Sequence, residues 1–157
     1  MTSKEIKIAY LEYESVDQLD PEDRRLAQEA IEATEQSYAP YSNFNVGAAV
    51  LFTDGVIIKG ANQENAAYPS GLCAERTALF YASSSRPDKA MSAIAIAAGQ
   101  NGRLCSSPAT PCGACRQVMA QYQEKSGIPM KVILVGSDKV WKFDKVDDLL
   151  PLIFDSI

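Results

Sequence analysis

The sequence predicts a single α/β domain built on a mixed sheet, and three observations carry this. The chain has 157 residues, a length that suits one domain burying one core unaided. Short apolar runs alternate along it with segments whose apolar residues recur at helical spacing, as in a layered α/β fold. Asp54-Gly55 joins two of the apolar runs, and an Asp-Gly turn pairs its flanking strands antiparallel, which makes the sheet mixed.

Taken in order, residues 4–13 alternate loosely through Ile6, Ile8, Tyr10, Leu11 and Tyr13 and read as a strand. Asp20-Pro21-Glu22-Asp23 is a helix start: Asp20 caps, Pro21 suits the first helical position, and the acids favour the positive end of the helix dipole. Leu26, Ala27, Ala30, Ile31, Ala33 and Tyr38 recur on one face, and Pro40 ends the helix by Ala39 or earlier. Residues 46–52 and 56–61 are the hairpin strands, and Gly47, Ala48 and Ala49 suggest a helix packed close against the first of them. After a loop over 62–72, a helix is expected from Cys73 to about Ala82, broken by Ser83-Ser84-Ser85-Arg86-Pro87. Residues 91–98 form an apolar run without alternation, as a strand covered on both faces does. A loop from Gly99 to Pro111, a helix from Gly113 to about Gln123, strands over 130–135 and 139–143, and a short helical turn stopped by Pro151 complete the chain.

Composition narrows the function. Net charge is −5, with no basic run. Binding a nucleic-acid backbone relies on Lys and Arg neutralising phosphates, so a small-molecule substrate is favoured. The chain has no histidine, which excludes Ser-His-Asp and Cys-His catalysis and every His-liganded metal. The N-terminus leads into no long apolar run, and no segment approaches the length needed to span a bilayer. Four cysteines without a secretory leader suggest a reducing cytoplasm, where such spacing signals metal more often than disulfide.

Two short motifs carry the chemistry. Cys73-Ala74-Glu75-Arg76 places a carboxylate two residues after a thiol, and Pro111-Cys112-Gly113-Ala114-Cys115-Arg116-Gln117 contains a Cys-x-x-Cys. Three cysteines supply three soft ligands for zinc, and a catalytic zinc site keeps its fourth position for water. Glu75 is then the base beside that water. Taken alone, the Cys-x-x-Cys also reads as a structural zinc knuckle or a redox pair. Cys105 reads as a spare thiol or as a fourth ligand that closes the site.

A ligand-x-Glu followed by Pro-Cys-x-x-Cys is the signature of zinc-dependent base and nucleoside deaminases. With Cys as first ligand, and with Arg76-Thr77-Ala78 and Arg116-Gln117-Val118 following the two halves, the chain resembles cytidine deaminase of the short-chain, homotetrameric type. The resemblance covers roughly residues 22–154 and divides the chain into an N-terminal extension, 1–20, and a catalytic domain, 21–157. It implies a three-layer α-β-α sandwich around a mixed five-stranded sheet. It implies one zinc per chain on Cys73, Cys112 and Cys115, with Glu75 catalytic and Arg76 hydrogen-bonded to the thiolates. The implied reaction is hydrolytic deamination of cytidine and deoxycytidine to uridine and deoxyuridine, in pyrimidine salvage.

The same resemblance assigns substrate contacts. In Tyr41-Ser42-Asn43-Phe44-Asn45-Val46-Gly47, Phe44 matches the ring that stacks on the pyrimidine, although a phenylalanine beside a strand reads on its own as core. In Gly60-Ala61-Asn62-Gln63-Glu64-Asn65-Ala66-Ala67-Tyr68-Pro69, Asn62 and Glu64 match the pair that binds the sugar 3′-hydroxyl; in isolation they read as solvated turn residues. The backbone N–H of Ala74 is implied to hold the pyrimidine O2. Ala66, Tyr68 and Phe154 are implied to reach a neighbouring subunit's pocket. Where the family usually has an acid and Phe after Val118-Met119, Gln121 and Tyr122 stand instead. The rival readings are a deaminase of a cytosine-nucleoside antibiotic such as blasticidin S, an editing deaminase acting on RNA or DNA, and a non-catalytic zinc-stabilised module.

Overall fold

A computed structural model of the chain describes residues 1–155. The strands are β1 (Leu11–Tyr13), β2 (Phe44–Phe52), β3 (Ile57–Ala61), β4 (Met91–Gln100), β5 (Arg103–Leu104), β6 (Lys131–Val135) and β7 (Val140–Phe143). The helices are α1 (Pro21–Ala33), α2 (Ala74–Ser85) and α3 (Gly113–Ser126). The sheet runs β1-β7-β6-β4-β2-β3, with β5 paired to β4. Among the described strands only β4 and β6 are parallel, joined by the crossover through α3; the remaining pairs are antiparallel, so the sheet is mixed as expected.

The expected count of five strands is corrected to seven. The five are β7-β6-β4-β2-β3, and two short additions extend them. Leu11–Tyr13 adds to the outer edge of β7, pairing Glu12 with Trp141. Asn101 and Gly102, both at positive φ, turn the chain so that β5 folds back on the end of β4. The strand expected over 4–13 shortens to three residues because β7 offers only Val140–Phe143 as a partner. Tyr10 marks its limit, stacking on Phe143 with ring centroids 5.1 Å apart. The first helix ends at Ala33 and tightens into a 3-10 turn, Thr34–Gln36, before Pro40. The second helix continues past Ala82 through Ser85, and the third past Gln123 to Ser126, where Gly127 caps it at φ 66°.

Alternation along the central strands builds two cores. Ala48, Val50, Phe52, Ile94, Ile96, Val132 and Leu134 face α2 and α3. Ala49, Leu51, Ala93, Ala95, Ala97, Ile133 and Val135 face α1. Burial on both faces explains the continuous apolar run of β4. The α1 layer is tied down by Asp23, fully buried, whose carboxylate meets Lys131 of β6 at 2.5 Å and Lys142 of β7.

The small residues of β2 have the meaning the sequence suggested. A Cβ on Gly47 would lie 2.2 Å from the Ala30 carbonyl oxygen of α1. On the other side of the hairpin, a Cβ on Gly60 of β3 would lie 2.5 Å from the Ala78 nitrogen of α2. Both neighbours are backbone, which cannot swing aside. Gly47→Ala is therefore expected to destabilise the protein by about 3 kcal/mol, the upper range for overpacking. Urea unfolding of the variant against the unsubstituted protein measures this; an unchanged midpoint would refute it. No helix among the described residues is long and apolar enough to cross a membrane.

Candidate metal centre and active site

The site forms where two helices begin. Cys73 is the N-cap of α2 and Cys112 the N-cap of α3, both in extended backbone, and neither thiol caps its own helix. Cys115 lies in the first turn of α3 and is fully buried. The sulfurs of Cys73, Cys112 and Cys115 all lie within 4.8 Å of one another. Among the described residues Cys105 stands outside this group.

The surroundings suit a soft divalent cation. Arg76 Nη2 donates to Cys73 Sγ at 3.5 Å, and the Cys73 thiol in turn holds the guanidinium pKa above its usual value. The backbone N–H of Cys115, and less strongly its thiol and the Ala114 N–H, lower the pKa of Cys112. Burial, reinforced by the charges of Glu75, Cys73 and Cys112, raises that of Cys115. Three thiols, helix N-termini and one guanidinium match a three-ligand zinc site with a position left over. Glu75 is 5 % exposed. Burial raises its carboxyl pKa, against the opposing pull of its own backbone N–H, the Cys115 thiol and Arg76.

A cavity of about 300 Å³ opens over this centre, lined by Phe44, Asn62, Glu64, Cys73, Ala74, Glu75 and Cys112 among others. A second, of about 510 Å³, shares Ser42, Asn62, Glu64 and Cys73 with it and extends outward past Tyr41, Tyr68 and Arg76. Together they have the size of a small-molecule site. Asn62 follows β3, and its Oδ1 accepts from Ser37 Oγ at 2.6 Å and from Val46 N at 2.8 Å. Its Nδ2 donates to Phe44 O at 2.9 Å, which leaves one amide hydrogen for a ligand. Asn62 thus also fixes the start of β2, where Phe44 stands. Glu64 accepts from the Tyr41 and Ser42 backbone nitrogens at 2.8 and 3.3 Å. The Ser42 hydroxyl and those N–H groups hold its carboxyl below the usual range. Both backbone bonds go to Oε2.

Most of the residues singled out from the sequence therefore meet here. Five do not line the inner cavity. Cys115 is buried within the thiol cluster, and Arg76 lines the outer cavity only. Tyr68 stands at the outer rim, 79 % exposed. Ala66 is exposed and lines neither cavity. Phe154 is 74 % exposed and also lines neither. Sequence reasoning missed Ser37, which orients Asn62, and Ala109 and Thr110, which line the inner cavity. Ser37 carries no sequence signal, because its partner lies far along the chain. Thr110 precedes Pro111-Cys112, and that adjacency is the one signal available.

Residues 20–130 match the family model described as the cytidine and deoxycytidylate deaminase zinc-binding region. The chain belongs to this deaminase family. Cys73, Glu75, Cys112 and Cys115 all fall inside the matched region, and zinc is the metal of the deaminase centre. Residues 1–19 and Phe154 fall outside it. Among relatives of this deaminase, the cytidine deaminase of Halalkalibacterium halodurans is 55 % identical over 97 residues, 61 % of this chain and 68 % of the relative. The crystal structure of cytidine deaminase from Burkholderia pseudomallei is similar at 41 % identity and TM-score 0.69, covering 83 % of this chain and 97 % of that one. That of the Mycobacterium tuberculosis cytidine deaminase is similar at 33 % identity and TM-score 0.68, covering 87 % and 100 %.

Proposed function

We propose that this deaminase hydrolyses cytidine and deoxycytidine to uridine and deoxyuridine, releasing ammonia. The observation that carries the reading is the buried Glu75 carboxyl lining the same cavity as the converging thiols. Zinc held by Cys73, Cys112 and Cys115 supplies the Lewis acidity that makes a water acidic near neutral pH. Glu75 takes a proton from the attacking water and delivers it to ring N3 as the new C–O bond forms at C4. Glu75 then moves the second water proton to the amino nitrogen, and ammonia leaves as the C–N bond breaks. One carboxyl thus acts as base and then as acid, and burial holding its pKa high suits the protonated half of that cycle.

The other residues bind and orient. Phe44 packs on the pyrimidine face. The Ala74 N–H, at the start of α2, is free to donate to O2. The remaining Asn62 amide hydrogen and Glu64 Oε1 meet the sugar 3′-hydroxyl. Glu64 and Glu75 make the cavities acidic, and among the described residues the only cation lining either is Arg76, already engaged with Cys73. A 5′-phosphate finds no free partner there, which favours nucleosides over nucleotides. The enzyme acts in the cytoplasm in pyrimidine salvage, as a homotetramer in which Ala66, Tyr68 and Phe154 complete a neighbour's pocket. Their exposure in one copy supports that assembly.

The test is turnover of cytidine, deoxycytidine and deoxycytidylate by purified, zinc-loaded protein. Uridine and deoxyuridine are expected, with deoxycytidylate slower by about tenfold or more. Folded protein holding zinc that yields no uridine would overturn the reading, and preferred turnover of blasticidin S would replace it.

A further inference from the structure

We propose that Gln117 is a positioning residue that aims Phe154, through its backbone, toward the pocket of an adjacent copy. The inference rests on the reading of Phe154 given above, and concerns what holds that ring in place. After the turn at Val146–Asp148 the described residues form no further helix or strand. A segment of that kind needs partners for its backbone polar groups from elsewhere. Gln117, on the second turn of α3, supplies them. Its Nε2 donates to Phe154 O at 2.6 Å, and its Oε1 accepts from Phe154 N at 3.2 Å. One carboxamide therefore clasps both polar groups of one residue, as a neighbouring strand would.

Arg116 secures the near end of the same segment. Its Nη1 donates to Leu149 O and its Nε to Pro111 O, both at 2.8 Å. Between the two grips Ile153 packs against the core, while the next ring, Phe154, is left 74 % exposed. An aromatic side chain held firmly by its main chain and directed outward is prepared for contact with another surface. Gln117 follows Cys115 by two positions, so the helix that carries two thiols of one centre also aims the aromatic ring offered to another.

Steady-state cytidine turnover by the zinc-loaded full chain tests this. Gln117→Ala is expected to raise KM by about fivefold, the scale of one or two lost hydrogen bonds, with kcat within about twofold. Zinc content and assembly should not change. Gln117→Glu, which still accepts from Phe154 N but sets a carboxylate oxygen against the Phe154 carbonyl, should be impaired at least as much as Gln117→Ala. The decisive variant is the double substitution with Phe154→Ala, whose KM should equal that of Phe154→Ala alone. Multiplying effects would overturn the proposal, as would loss of zinc in Gln117→Ala. A silent Gln117→Ala beside an impaired Phe154→Ala removes the positioning role only. A silent Phe154→Ala removes the reading of that ring, and the proposal with it.

Discussion

Glu75→Gln is expected to lower kcat by about 10³-fold or more, because in the proposed reaction one carboxyl performs two proton transfers and each is worth two to four orders of magnitude. Glutamine keeps the shape of the side chain, so the cavity is preserved. Zinc should stay bound. Burial and then the carboxylate's charge push up the pKa of Cys115, and the same charge opposes the net lowering of the Cys112 pKa by the Cys115 backbone N–H, so its removal eases ionisation of both thiols and favours metal capture. The variant should therefore hold one zinc per chain, with affinity equal to or above that of the unsubstituted enzyme. Metal analysis beside initial rates reads both quantities. Turnover within tenfold of the original would remove Glu75 from the chemistry, and loss of zinc would make its role structural.

Cys115→Ala is expected to leave the protein substoichiometric in zinc and to reduce turnover below about 10⁻³ of its original value. The position is fully buried, so neither water nor a surface carboxylate is at hand to replace the sulfur. Cys105→Ala is the control: outside the thiol group, it should leave zinc and rate unchanged, whereas a four-cysteine structural site would lose metal. The same thiol sets a pH dependence. Burial holds Cys115 protonated at neutral pH, and zinc must displace that proton, so apparent affinity rises as pH rises. Competition titration with a chromogenic chelator at two pH values measures the slope. A pH-independent affinity would show that Cys115 is not a ligand.

The site was legible where chemistry forces short spacing. Cys73 with Glu75, and Cys112 with Cys115, each sit within one helical turn, so their relation survives in a linear reading. Gly47 was legible for a similar reason, since a run of small residues in a strand announces a close neighbour. What could not be read depends on partners distant along the chain. Ser37 becomes meaningful only when Asn62 is folded beside it. The alternation over residues 4–13 overstated the first strand because strand length depends on the partner, and β7 is short. β5 was hidden because two residues of ladder leave no pattern.

The crossover geometry has a consequence for the unfolded chain. Cys73 precedes β4 and the Cys112–Cys115 pair follows it, so a bound zinc closes a loop of roughly 40 residues that contains the strand at the middle of the sheet, and because the denatured polypeptide lacks this preformed site, the metal's binding free energy adds to the stability of the fold. Zinc here is therefore a cross-link as well as a cofactor. It joins two segments that no disulfide connects, and it can do so in a compartment where disulfides do not persist.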